Sequence, residues 1–175
     1  MPIVPDTKDW TWVLERSCPE CGYDAVTTTR AAAPRLIQDN AVAWQAALTS
    51  QEAAALRTRP REDRWSVVEY ACHVRDVYRI FDQRLVMMLE ADDPTFPNWD
   101  QDATAAADGY QDQDPGVVAG QLAEAADRIA GRFAGLGPEQ WERTGSRSDG
   151  ARFSVDSFAS YLIHDPVHHL HDVGG

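Results

Sequence analysis

Ser66 and Glu69 stand three residues apart at the head of a long run of evenly spaced apolar side chains, and this arrangement constrains the chain more than any other. In an S-x-x-E capping box the serine hydroxyl accepts from an amide of the first turn, while the glutamate reaches back to the serine amide. Trp65 and Tyr70 flank the box where a hydrophobic staple closes over it. Val67, Ala71, Val74, Tyr78, Phe81, Leu85 and Met88 then trace a core stripe to about Ala91, with Tyr70, His73, Val77 and Ile80 on the adjoining stripe. His73 is therefore expected to face inward.

Three other segments keep the same period. Leu36, Ile37, Ala41, Trp44, Ala47 and Leu48 predict a helix over about 34–48 with Pro34 in its first turn. A third helix opens with Asp114 as cap and Pro115 at its first position. It carries Val118, Leu122, Ala125, Ile129, Phe133 and Leu136 before Gly135, Gly137 and Pro138 end it. A fourth begins near Ser154 and presents Val155, Phe158, Leu162 and Leu170, with Pro166 expected either to kink it or to stop it at Asp165. Residues 92–114 read as a long acidic loop, functional or mobile, in which Trp99 either anchors the loop or lines a pocket and Asp100 and Asp102 are solvated. Asp149-Gly150 marks a short hairpin or ordered loop before the fourth helix. Together these elements predict an all-α four-helix bundle in a single domain, residues 34–175, preceded by an N-terminal arm over 1–33.

Charge narrows the function classes. With 16 basic against 28 acidic residues the chain carries a net charge of -12, which repels phosphate backbones and argues against nucleic acid as a partner. No apolar run approaches the ~20 residues needed to span a bilayer, and the opening MPIVPDTKDW lacks the pattern of a signal peptide, so a soluble cytoplasmic protein is expected.

Four of the five histidines lie in HDPVHHLHDVGG at the end of the chain. On a helix His164 and His168 project from one face at the spacing at which two imidazoles reach one ion. His171 is about 10 Å from His164 along such a helix, too far to share that ion. A third ligand should come from elsewhere, and the remaining histidine is His73, which without the terminal cluster reads first as a hydrogen-bonded core residue. Cys18 and Cys21 form a CxxC knuckle followed by Gly22, suited to two thiolate ligands, a redox pair or simple burial. No second CxxC completes a zinc ribbon, and the next thiol is Cys72.

The stretches WSVVEYACHVRDV and YLIHDPVHHLHDV, with W-S-x-x-E-x-x-x-H in one and H-x-x-x-H in the other, resemble the DinB-like superfamily, also called DinB/YfiT or YfiT-like, over residues 34–173. The resemblance implies a four-helix bundle, often dimeric, in which three histidines hold a divalent metal, commonly zinc or nickel, with open positions for water or substrate. Carried onto this chain it selects His73, His164 and His168 as metal ligands. The CPECG segment looks like an extension of an actinobacterial-type branch. His169, Leu170 and His171 depart from the polar run that usually follows the last ligand, so His169 and His171 are candidates for a further ligand or a supporting position, as are Asp76 and Asp172. Asp165 also flanks the ligands.

A three-histidine ion keeps its full charge and acidifies a bound water or thiol. The resemblance therefore implies a metal-dependent enzyme acting on a small molecule, with thiol-dependent transfer or isomerisation using a low-molecular-weight thiol foremost and hydrolysis next. The alternatives are a non-catalytic metal- or ligand-binding bundle, or a redox or zinc sensor built on Cys18 and Cys21.

Overall fold

A computed structural model describes residues 9–174. Residues 1–8, read above for the absence of a leader, lie outside the described residues, as does residue 175. Six helices occur in the order α1 Ala33–Thr49, α2 Ala53–Leu56, α3 Val67–Glu90, α4 Gln101–Ala107, α5 Pro115–Ala134 and α6 Val155–Asp172. The long ones, α1, α3, α5 and α6, form the bundle, and two 3-10 turns, Thr11–Leu14 and Arg30–Ala32, pack the N-terminal arm against α6.

Local chemistry sets the helix starts. Ser66 Oγ accepts from the Glu69 amide at 3.3 Å and Glu69 Oε2 accepts from the Ser66 amide at 2.8 Å, so the capping box forms as its spacing requires. The staple closes edge-on, with the Trp65 and Tyr70 ring centroids 5.5 Å apart. Asp114 Oδ1 accepts from the Val117 amide at 3.0 Å above Pro115, and Ser154 Oγ accepts from the Ser157 amide at 3.1 Å at the head of α6. Each such cap is worth about 1 kcal/mol.

Pro166 lies inside α6 and does not end it at Asp165. The proline forfeits one ladder hydrogen bond, but Ile163, His164, Pro166 and His168 are all buried, and Trp44 Nε1 donates to the Pro166 carbonyl at 3.1 Å. Tertiary packing thus outweighs the local penalty. This continuity keeps the i, i+4 relations along the terminal histidines intact.

The segment 92–114 is structured, not an open loop: it contains strand β1 (Thr95–Phe96), α4 and a 3-10 turn over Tyr110–Asp112. Asp100 caps α4, its Oδ1 accepting from the Ala103 amide at 2.9 Å. β1 pairs parallel with β2 (Thr144–Arg147), with Thr95 opposite Ser146, and β2 pairs antiparallel with β3 (Arg152–Ser154), which is the hairpin expected at Asp149-Gly150. Gly150 supplies the left-handed turn residue, φ 96°. Gly145 meets a different demand, since a Cβ there would lie 2.8 Å from Met88 Cγ and 3.0 Å from Phe96, so the sheet sits on α3 only because that side chain is absent. Phe158 joins the layers, its ring 4.7 Å from Phe81 of α3, 5.9 Å from Phe153 and 6.0 Å from Phe96. Among the described residues no helix is long and apolar enough to cross a membrane.

Candidate functional site

An α-helix turns about 100° per residue, so residues 164 and 168 form one stripe of α6 while residues 165 and 169 form a second, about 100° round the axis. The structure uses both. Among the described residues, two groups of metal-ligating side chains converge, each with its donor atoms within 4.8 Å of one another: His73, Asp165 and His169 in one, and Cys18, Cys21, His164 and His168 in the other. The three histidines selected by resemblance are therefore divided between two groups, His73 in the first and His164 and His168 in the second.

In the first group Asp165 Oδ1 lies 3.3 Å from His73 Nε2 and 3.9 Å from His169 Nε2. Two donors each about 2.1 Å from a tetrahedral ion would be about 3.4 Å apart, so the spacing suits a divalent cation. His73 is 1% exposed, yet neither ring nitrogen has a hydrogen bond of acceptable geometry, and Asp165 Oδ1 is buried in the same condition. Leaving buried polar atoms unsatisfied costs about 1–3 kcal/mol each, and a cation removes that cost.

Supporting contacts orient the donors. His169 Nδ1 lies 3.1 Å from Asp172 Oδ2, whose other oxygen accepts from Arg64 at 2.7 Å, so the carboxylate fixes the ring with Nε2 toward Asp165. Trp99 stacks on His73 at 5.3 Å with the planes 5° apart, and Trp65 and Tyr70 pack against His73 and His169 at 5.5 and 4.9 Å. Trp99 therefore lines the site. For Asp165, burial raises the carboxyl pKa, but the imidazoles of His73 and His169 outweigh it and hold the group well below the usual carboxylate range, in its ligating form.

The second group faces the N-terminal arm. Cys18 Sγ is 3.7 Å from His168 Nδ1, and His164 Nε2 is buried with no hydrogen-bond partner. Burial, reinforced by His168, lowers the His164 pKa to about 4, so this ring stays neutral. Burial likewise pushes the Cys21 thiol up to about 11, unlike the depressed value of a reactive redox cysteine.

The remaining candidates lie apart from both groups. Asp76 accepts from Arg75 at 2.9 and 2.8 Å and from the Tyr110 hydroxyl at 2.6 Å, binding α3 to the segment before α5. His171 is exposed. Cys72 is buried, its sulfur 4.0 Å from the Tyr110 carbonyl and its pKa raised by burial to about 12. Asp165 and His169 were the candidate donors hardest to read from the sequence, although their spacing of four was the available signal, because a carboxylate can ligate as an imidazole does.

A cavity of about 610 Å³ is lined in part by Trp99, Arg84, Arg147 and Tyr161, with Asp165 and His169 of the first group and His164 and His168 of the second on its wall. That volume lies within the usual range for small-molecule sites. Arg84 is 7% exposed and donates to the Pro97 carbonyl at 2.9 Å. Burial, the largest influence, and the neighbouring Arg147 lower its pKa to about 10. Arg147 bonds the Tyr161 hydroxyl at 2.9 Å and pairs with Asp149 at 2.8 Å.

Comparison with known proteins agrees with this architecture. The profile of the DinB superfamily matches residues 36–173. The chain is similar in fold to YfiT from Bacillus subtilis, described as a probable metal-dependent hydrolase with an unusual four-helix bundle topology, with a TM-score of 0.74 at 17% identity over 83% of this chain and 85% of that one. No curated protein matches the chain.

Proposed function

The chain belongs to the DinB superfamily, and from that premise we propose that it is a metal-dependent enzyme that hydrolyses a small, anionic molecule at a centre formed by His73, Asp165 and His169. The observation that carries this reading is His73, a buried imidazole with both nitrogens unsatisfied, beside a buried, unsatisfied oxygen of Asp165, the residue that with His169 lines an open cavity. Two imidazoles and one carboxylate form the three-donor set of hydrolytic metal sites that keep an open position. When bound, a divalent ion, zinc or nickel foremost, supplies a Lewis acid that polarises a substrate oxygen and acidifies a water or thiol.

The protein's own part is placement. Asp172 holds the His169 ring, Trp99 covers His73 from the cavity side, and the guanidiniums of Arg84 and Arg147 present positive charge to a substrate carboxylate or phosphate. Arg84 suits that task because it lines the cavity while held over the Phe81 and Phe96 rings and bonded to the Pro97 carbonyl. A low-molecular-weight thiol as co-substrate, for transfer or isomerisation, is the second reading. It is favoured by the size of the cavity, about 610 Å³.

The test is turnover of a panel of small anionic amides and esters by the zinc-, nickel- or manganese-loaded chain, with and without added thiol. Hydrolysis that falls about a thousandfold in His169→Ala supports the first reading, since a lost Lewis acid is worth several kcal/mol. Turnover only with thiol present selects the second. Full turnover after chelation, or in His73→Ala, refutes both.

A further inference from the structure

We propose that Cys18, Cys21, His164 and His168 form a second metal site, a closed tetrahedral zinc centre that pins the N-terminal arm to α6. This site is independent of the reading of the open cavity. Three observations carry it.

The first is donor chemistry. Two cysteines and two histidines are a complete ligand set for structural zinc, and four donors within 4.8 Å of one another leave no position for a substrate. A sulfur about 2.3 Å and a nitrogen about 2.05 Å from one tetrahedral ion would be about 3.6 Å apart, against 3.7 Å observed between Cys18 Sγ and His168 Nδ1.

The second is the local fold of each half. The Cys18 amide donates to the Tyr23 carbonyl at 2.8 Å and the Gly22 amide donates to the Cys18 carbonyl at 2.9 Å, with Gly22 at φ 76°. The tight left-handed turn brings Cys21 back beside Cys18, and glycine meets its conformational demand without strain. On the other side α6 holds His164 and His168 on one stripe, ring centroids 5.2 Å apart, and His164 Nε2 is buried without a partner.

The third is the surroundings. His168 presents Nδ1 to Cys18 while its Nε2 lies 3.7 Å from Glu20 and 3.8 Å from Asp172, the carboxylate support that orients a ligating imidazole. Trp10 packs against both rings, 5.3 Å from His164 and 5.0 Å from His168. Binding releases the two thiol protons to solvent, and one divalent ion with two thiolates is neutral, which suits burial.

The experiment exchanges cobalt(II) for the native ion in the full chain. Sulfur ligation gives a thiolate-to-cobalt charge-transfer absorption that the His73, Asp165 and His169 group cannot produce. The expected result is that band in the wild type and in His73→Ala, and its loss in the Cys18→Ser/Cys21→Ser double variant. A cobalt-loaded wild type without the band overturns the proposal, as does a double variant that keeps it. Should the double variant fail to fold, alkylation of the wild type decides: the zinc-loaded chain should protect two cysteines that react once the ion is chelated. Equal labelling in both states overturns the assignment.

Discussion

Along α6, residues 164 and 168 look toward the N-terminal arm and residues 165 and 169 toward α3, so one helix presents two donor groups with opposite properties. The group on the arm side has four donors, two of them sulfur, beside a tryptophan. The group on the α3 side has three nitrogen and oxygen donors, and histidines of both groups reach the wall of the cavity of about 610 Å³. Donor number separates their uses, because a four-donor tetrahedral set is saturated and a three-donor set is not. Asp172 serves both, at 3.1 Å from His169 and 3.8 Å from His168.

The largest effect should come from the open group. His73→Ala or His169→Ala should lower kcat/KM about a thousandfold, equivalent to about 4 kcal/mol. Either should leave the cobalt-thiolate band intact, and loss of both signals together would merge the two groups into one site. Cys18→Ser/Cys21→Ser should instead cost stability. A site held at a thousandfold excess of free ion over Kd contributes about 4 kcal/mol, a drop of about 8–16 °C in Tm for a domain of this size. An unchanged melting curve would remove the arm's structural role.

A smaller effect tests the shared carboxylate. Asp172→Asn should weaken metal binding at the open group by about 10–100-fold, the usual cost of losing a supporting partner, with the larger shift at the nearer ring, His169. Isothermal titration with zinc reads it, and an equal shift at both sites would mean that Asp172 acts through the helix instead of through either ring. Smallest is the contribution of the capping box at the head of α3. Burial raises the Glu69 pKa, but the Arg59 guanidinium and the Ser66 amide outweigh it and bring the group below its ordinary value. Its stabilisation is therefore fully present above the unfolded pKa, about 4.3, and is lost as pH falls through the lower folded value. Glu69→Gln should cost about 1–2 kcal/mol at neutral pH and flatten that acid limb of the stability profile. A stability loss undiminished at low pH would show that the role of Glu69 is not electrostatic.

Local chemistry made much of the bundle legible. Ser66 with Glu69, Asp114 with Pro115 and the apolar period placed all four long helices, and the Asp149-Gly150 signal marked the hairpin. These depend on neighbours a few residues away. Residues 92–114 were less readable because β1 has only two residues and owes its pairing to β2, about fifty positions later.

For the candidate sites, the sequence by itself determined the inventory: five histidines, a CxxC knuckle and two interleaved pairs with a spacing of four. Only the tertiary structure decided the partition. Spacing along a helix says which side chains share a stripe but not what each stripe meets. That depends on the rotation of α6 in the bundle, which sends Asp165 and His169 to His73 and leaves His164 and His168 to the cysteines of the arm. That rotation is set by long-range burial around Trp44, Phe158 and Leu162, a sum over contacts that no local pattern encodes.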